Sequence, residues 1–449
     1  MHSKLDLTFK NIEMKLKKII NVFILVLITL SSTSCEDSFF EDNNADPNKP
    51  FAVPISAALP AIQLTIVDSK GGLFSTFSNM FIQQVEGVER QWDSFNKYDV
   101  QPVRTNGPWQ QMYENVFVEL KLVSQKATDD GLNHYLGVAK TLEAYALMMT
   151  TDVFGDIPYT EASLGDENSN PAYDDQLSII YPAIRTLLTD ALALFNAAPG
   201  SIAPGSDDVI YGGDIDAWKL AVHAILARQY LHLGDNANAL AEAKLAFTSR
   251  ADNMGYKYPG AGNDGGWYGF NDVRQGDIEF HPTMRAIMTN LNDTDRLAVL
   301  DQTFDADHPY LVAAMQEDLI TFREMQFIIA ETSTDAAEKH AAYLNGIRAS
   351  FEEIGLEAAE YDAYVAQNDV DPGMGSLTMN QIMTQKYIGL FVQPETFSDW
   401  RRTGIPSLTP VAGSDVPRRW FYPENEYLFN SSAPARDDQL LFKRVGWDN

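Results

Sequence analysis

Apolar residues recur at three- and four-residue spacing through most of the chain. Tyr135, Val138, Leu142, Tyr145 and Met149 form one series. Trp218, Val222, Leu226, Tyr230 and Leu233 form a second, and Ala337, Ala341, Leu344, Ile347 and Phe351 a third. Such spacing lines one face of a 3.6-residue helix. Runs alternating at period two are scarce and short, so the pattern predicts a mainly α protein.

One stretch is more specific. Asp216 to Phe247 reads as helix, Gly-Asp turn, helix, with Ala227 and Tyr230 before Gly234, and Ala239 and Ala246 after it. These offsets resemble a tetratricopeptide unit, in which small residues let two helices approach while the aromatic fills the groove. The competing reading is any alanine-bearing helical hairpin. Other helix pairs are less regular, so a hairpin superhelix here is degenerate and interrupted. His223 and His232 lie on this hairpin and read as structural rather than as metal ligands.

Between the helical series lie three polar stretches with unusual aromatic content: Arg90–Asp99, Asn106–Asn115 and Gly255–Asp277. The last has seven glycines and five aromatics. A structureless loop of that length in a compact protein is usually functional or disordered, and aromatics favour function. All three are read as loops.

The N-terminus breaks the helical pattern differently. Lys15, Lys17 and Lys18 precede a mostly apolar run, Ile19 to Leu30, and small hydroxyl residues then lead to Cys35. This is the charged region, apolar region and cleavage zone of a secretory signal peptide. The run falls short of the ~20 residues a spanning helix needs. Residues 1–34 are read as the signal peptide, with Met14 as its true start. Cys35 is the only cysteine, and its position after the apolar run resembles a bacterial lipobox. Ser32 stands where lipoboxes usually carry Leu, and an ordinary signal peptide beside an incidental thiol is the alternative. Residues 35–60, acidic and rich in Asn and Pro, read as a lipidated tether, and residues 61–449 as a single domain.

Composition narrows the function. With 449 residues and 45% hydrophobic content the chain can build a large core, and one cysteine allows no internal disulfide. The formal charge of −29 repels phosphate backbones and anionic headgroups, which excludes nucleic acid as a partner. Any contact with the membrane then runs through the N-terminal lipid alone.

No recognisable catalytic motif occurs. Gly260, Gly262 and Gly265 match a dinucleotide fingerprint but follow Pro259 rather than a buried strand, and a flexible loop is the better reading. The acid pairs Asp174-Asp175 and Asp207-Asp208 read as loop or cap residues rather than a glycosidase dyad. Asn290–Asp295 could offer oxygens to Ca²⁺ but lacks the Gly and distal Glu of an EF-hand loop. No cofactor is otherwise expected. What remains is binding chemistry: Trp and Tyr stack on the C–H face of a sugar while polar side chains bond its hydroxyls. Trp92, Trp109, Trp267, Tyr268 and Arg90 are the candidates, and the competing reading is that these aromatics anchor their loops to the core.

Several blocks together resemble the SusD/RagB family of outer-membrane nutrient-binding lipoproteins of Bacteroidetes, in particular its SusD-like branch. They are Cys35 with its acids and Asp46-Pro47-Asn48, DVFGDIPYTEA (152–162), FREMQFIIAET (322–332), AYLNGIRASFEEIG (342–355), QKYIGLFVQPETFSDWRRTGIPSL (385–408) and VPRRWFYPENEYLFN (416–430). Physically, Gly155 and Pro158 stop a helix on which Tyr159 can pack back. Glu395, Asp399, Arg401 and Arg402 beside Trp400 can brace a helix end, with ligand binding by either arginine as the sharper alternative. The resemblance implies tetratricopeptide-like units with a loop-rich, ligand-holding remainder, and a non-enzymatic protein at the outer membrane. It implies an oligosaccharide or peptide ligand, and a TonB-dependent (SusC-like) barrel as partner. A surface glycoside hydrolase is the competing class.

Overall fold

The computed structural model describes residues 53–260, 264–302 and 308–448. The segment read as a signal peptide and Cys35 lie outside these residues. Packed structure begins before residue 61, because helix α1 (Ile55–Ser69) already buries Ile55, Ala58 and Leu59. It runs through a π-helical turn, Lys70–Phe74, into α2 (Ser75–Phe81). The superhelix follows: α3 (Val118–Asp129), α4 (Asn133–Phe154), α5 (Tyr181–Phe195), α6 (Ile215–His232) and α7 (Asn236–Leu245). In the second half stand α8 (Gly266–Val273), α9 (Phe322–Thr332), α10 (Ala336–Glu353), α11 (Met379–Gly389) and α12 (Glu395–Thr403). Helices α3 to α7 each pack on the next, and α9 packs on α7, α10 and α11. The fold is thus mainly α and built from helical hairpins.

The α6–α7 hairpin forms as its offsets imply. Asp214 and Asp235 accept from the first free N–H groups of α6 and α7. Gly234 takes the left-handed conformation (φ +70°) at the turn. Ala227 and Ala239 are fully buried, His223 meets Glu242 across the hairpin at 2.6 Å, and Tyr230 stays half-buried under the Arg185 guanidinium.

The three aromatic stretches are not loops. Arg90–Asn96 and Asn106–Gln110 are short helices, the latter continuing as a π-helix over Gln111–Phe117. The third carries a strand at one end and α8 in its middle. Strands β1 (Val85–Gly87) and β3 (Ile278–Phe280) form one antiparallel pair, and β2 (Met254–Lys257) and β4 (Gln316–Ile320) another. The glycine fingerprint therefore does lie between a strand and a helix. That strand belongs to a two-stranded antiparallel pair, not to the parallel βαβ unit a dinucleotide needs.

Every residue of α4 from Ala144 to Phe154 is buried, so its C-terminal carbonyls cannot reach water. Gln176 Nε2 donates to the Thr151 carbonyl at 2.8 Å, Arg401 to Asp152 at 2.6 Å and the Trp420 N–H to Val153 at 2.7 Å. Arg419 serves Phe154. Small residues set the packing of the second half. A Cβ on Gly346 would lie 2.9–3.0 Å from three ring atoms of Phe327, which is fully buried. Gly346→Val is expected to cost about 1–3 kcal/mol by overpacking this contact, read as a lower denaturant midpoint in equilibrium unfolding.

Candidate functional site

The candidate tryptophans are core residues. Trp92, Trp109 and Trp267 are 3%, 5% and 2% exposed. Trp92 packs edge-on against Phe95 and Phe270 with ring centres 5.2 and 5.1 Å apart. Trp267 donates to Ser75 Oγ at 3.0 Å. Trp109 stacks on Tyr113 at 4.6 Å and meets Phe154 edge-on at 5.0 Å. Trp420 joins the groups, touching both Phe77 and Phe154. The indoles anchor their segments and leave no open face for stacking. Arg90 pairs with the buried Asp277 carboxylate and so ties down the end of the third stretch. Tyr268 lies in α8, and its side chain is outside the described residues.

These anchors leave a cavity of about 320 Å³ between the end of α1 and the Asn106–Gln110 helix. The first wall is a π-helical turn, a geometry frequent at functional sites, and the second is the α-helical turn Asn106–Gln110 that leads into a π-helix at Gln111. In the first wall Gly72 leaves helical geometry (φ −87°, ψ −120°). A Cβ placed on Gly72 or on Gly107 would meet nothing within 4 Å, so backbone faces open space on both sides. Asp68, Ser69 and Gln111 supply polar groups, and Leu73 and Pro108 apolar surface. The Ser69 hydroxyl is buried with no hydrogen-bond partner among the described residues. Desolvation at the wall holds the Asp68 carboxyl above its usual range, although Tyr258 donates a hydrogen bond to it. The second stretch lines this cavity. The third backs it through Tyr258 and through Gly266, which presses on the Gly71–Gly72 backbone. The arrangement suits a saccharide ring, with C–H groups on Leu73 and Pro108 and hydroxyls on the polar set.

Sequence reasoning found two of the contributing stretches and missed Gly72, Asp68 and Ser69. The available signal was the Gly71-Gly72 pair interrupting the apolar periodicity of α1.

The acid pairs are structural. Asp174 accepts from the Tyr159 and Thr160 N–H groups, and Asp175 caps Gln176–Ile180. Asp207 accepts from Tyr135, and Asp208 from Gln63 and Trp218. In the segment singled out for Ca²⁺, Asp293 is already engaged by the buried Arg296 guanidinium at 2.8 Å.

The ETFSDWRRTGIP block is a brace, with partners beyond its own acids. Arg402 holds Glu331 through two bonds (2.9 and 3.1 Å) and Asp399 at 2.6 Å, and Lys386 holds Asp399 at 2.8 Å. The Arg401 guanidinium lies over Phe397 and Trp447. Glu395 accepts from His232 at 2.7 Å and faces Arg228 at 3.3 Å. Asp152 accepts from Tyr181 at 2.6 Å and from Trp447 at 2.9 Å. Ligand atoms of Asp152, His232 and Glu395 lie within 4.8 Å of one another, but each is spent on these partners, so the set is a charge-balanced ion cluster rather than an open metal site. Burial alone would lower the His232 pKa, yet the Glu395 and Asp152 carboxylates raise it to about 9.

A hairpin superhelix bearing a polar–apolar cavity is the frame that the comparisons with known proteins have to match. The chain matches the SusD-like family, described as starch-binding and associating with the outer membrane, over residues 47–309 and 300–423, and it belongs to that family. Members are binding proteins rather than enzymes. Among solved structures, a SusD-like protein of Bacteroidetes superposes with a TM-score of 0.73 at 19% identity, covering 88% of this chain and 100% of that one. A chitin-binding protein gives 0.71 at 22%, covering 88% and 100%. A SusD/RagB family protein of Bacteroides thetaiotaomicron gives 0.71 at 18%, covering 88% and 99%. At these identities the likeness is one of fold. No curated protein matches the chain.

The ion cluster makes stability depend on pH. With its folded pKa raised to about 9, His232 contributes fully below its unfolded value near 6.5 and loses that contribution as pH rises through 9. His232→Gln should destabilise by up to about 3–5 kcal/mol at pH 6, where it removes the cation that Glu395 and Asp152 share and leaves Glu395 to Arg228 and Asp152 to its neutral donors and the nearby Arg401. The gap to wild type should narrow by pH 9.5 in urea unfolding; a constant gap would show that His232 acts through packing alone.

Proposed function

We propose that the protein is a lipid-anchored, cell-surface glycan-binding protein that captures an oligosaccharide and passes it to a TonB-dependent outer-membrane transporter. The observation that carries the reading is the cavity at Gly72 and Gly107. Open backbone on two walls, the exposed polar side chains of Asp68 and Gln111 and small apolar patches match a hydroxyl-rimmed, C–H-faced ligand better than a purely apolar one. Membership of a family described as starch-binding supports the same ligand class. The transporter rests on the family resemblance. The anchor rests on Cys35 placed after the apolar run. The acids that follow it, Glu36, Asp37, Glu41 and Asp42, mark the protein for the outer face on this reading.

Because Gly107 faces open space, Gly107→Phe fills the cavity without disturbing the core. It should reduce affinity for the glycan that the wild type selects on an array by at least about 10-fold, with Tm unchanged. An array with no glycan hit, together with measurable peptide binding, would reject the ligand class. For the anchor, Cys35→Ser should move the protein from the detergent to the aqueous phase on phase separation; a wild type already in the aqueous phase would overturn lipidation.

A further inference from the structure

The opening at Gly72 depends on the π-helical turn Lys70–Phe74, whose own sequence does little to favour that geometry. In a π-turn the backbone bonds from residue i+5 back to residue i, one residue more than an α-turn spans. Here the Ser75 N–H donates to the Lys70 carbonyl. Gly71 and Gly72 inside the turn are poor helix formers. What holds the turn must therefore lie outside it.

Two contacts do so, one at each end. Lys70 Nζ lies 2.5 Å from Glu317 Oε1 on β4, with the two side chains 1% and 4% exposed. Glu317 fits there because Gly71 has no side chain: a Cβ would lie 2.5 Å from Oε2. That Oε2 has no hydrogen-bond partner among the described residues. A buried pair of this kind adds little net stability, since the loss of hydration offsets the attraction, and its best-attested use is to fix register. At the other end Ser75 Oγ donates to the Val392 carbonyl at 2.5 Å and accepts from the Trp267 N–H at 3.0 Å. Val392 stands at φ +57°, a costly backbone for a β-branched residue. Its N–H donates to Gln84 Oε1 at 2.9 Å, so both of its backbone groups are held in that conformation.

Together the two contacts specify the register. Successive residues of a helix are rotated by about 100°. Shortening the turn to an α-turn would swing Ser75 away from Val392 while Lys70 stayed on Glu317, or the reverse. We infer that the buried Lys70–Glu317 pair, acting with Ser75, is a register pin that positions the π-turn and keeps the Gly72 backbone open to the cavity. Neither Lys70 nor Glu317 lines the cavity, so both are positioning residues, and their effect on binding rests on the cavity reading above.

Lys70→Met combined with Glu317→Met, made in the full chain, tests the pin by separating stability from local order. The urea midpoint should stay or rise, because apolar side chains of similar volume replace the two charges. Amide hydrogen exchange over residues 70–75, measured without ligand, should quicken by at least about 10-fold while α4 stays protected. Affinity for the glycan that the wild type selects on an array should fall by at least about 10-fold. Ser75→Ala, which removes one hydroxyl and keeps the ion pair, should quicken exchange over the same residues. Unchanged exchange at residues 70–75 in either variant, or a lower midpoint with exchange raised along the whole chain, would overturn the pin. Quickened local exchange with unaltered glycan affinity would uphold the pin and overturn the cavity reading instead.

Discussion

A helix whose last turn is buried must find partners for its terminal carbonyls without help from water, and an orphaned one costs roughly 1–3 kcal/mol. In α4 this demand falls on Thr151, Asp152, Val153 and Phe154, and the partners come from far along the chain. Arg401 reaches Asp152 across 249 positions, and the segment around Arg419 and Trp420 closes the next two carbonyls. Cations at a helix C-terminus also meet the negative end of its dipole. The Asp152 side chain, meanwhile, enters the ion cluster with His232 and the indole of Trp447. Three sequence blocks that look unrelated along the chain therefore meet at one helix end.

The same economy shapes the cavity. Large aromatic rings run from Trp92 through Phe77, Trp420 and Phe154 to Trp109, and they fix the segments that carry the cavity walls. The cavity wall then exposes backbone at Gly72 and Gly107 between the side chains of Asp68, Leu73, Pro108 and Gln111. Rigid anchors behind that wall hold the cavity open while presenting hydrogen-bonding groups at close range.

Helical periodicity made the superhelix legible, because burial of one helix face writes itself into local spacing. The α6–α7 hairpin was legible for the same reason, down to the alanines at its contact. The tryptophans were not. Trp92 stands between Gln91 and Asp93, and Trp109 between Pro108 and Gln110. In a helix of one or two turns a single residue can face inward while its neighbours face water, so polar company does not imply exposure. The brace at Arg402 was recognisable as a brace, but Glu331 lies 71 positions away and no local pattern names it. Nor does anything local distinguish a glycine that faces open space, such as Gly107, from one that merely permits a turn.

The distant capping of α4 also bears on the order in which the chain folds. The Asp152 carboxylate takes the Trp447 indole, 295 positions later, and the Asp152, Val153 and Phe154 carbonyls take their partners from residues 401–420. Pairings at that sequence separation form late in folding, so closure of this helix end should follow the local hairpins rather than accompany them.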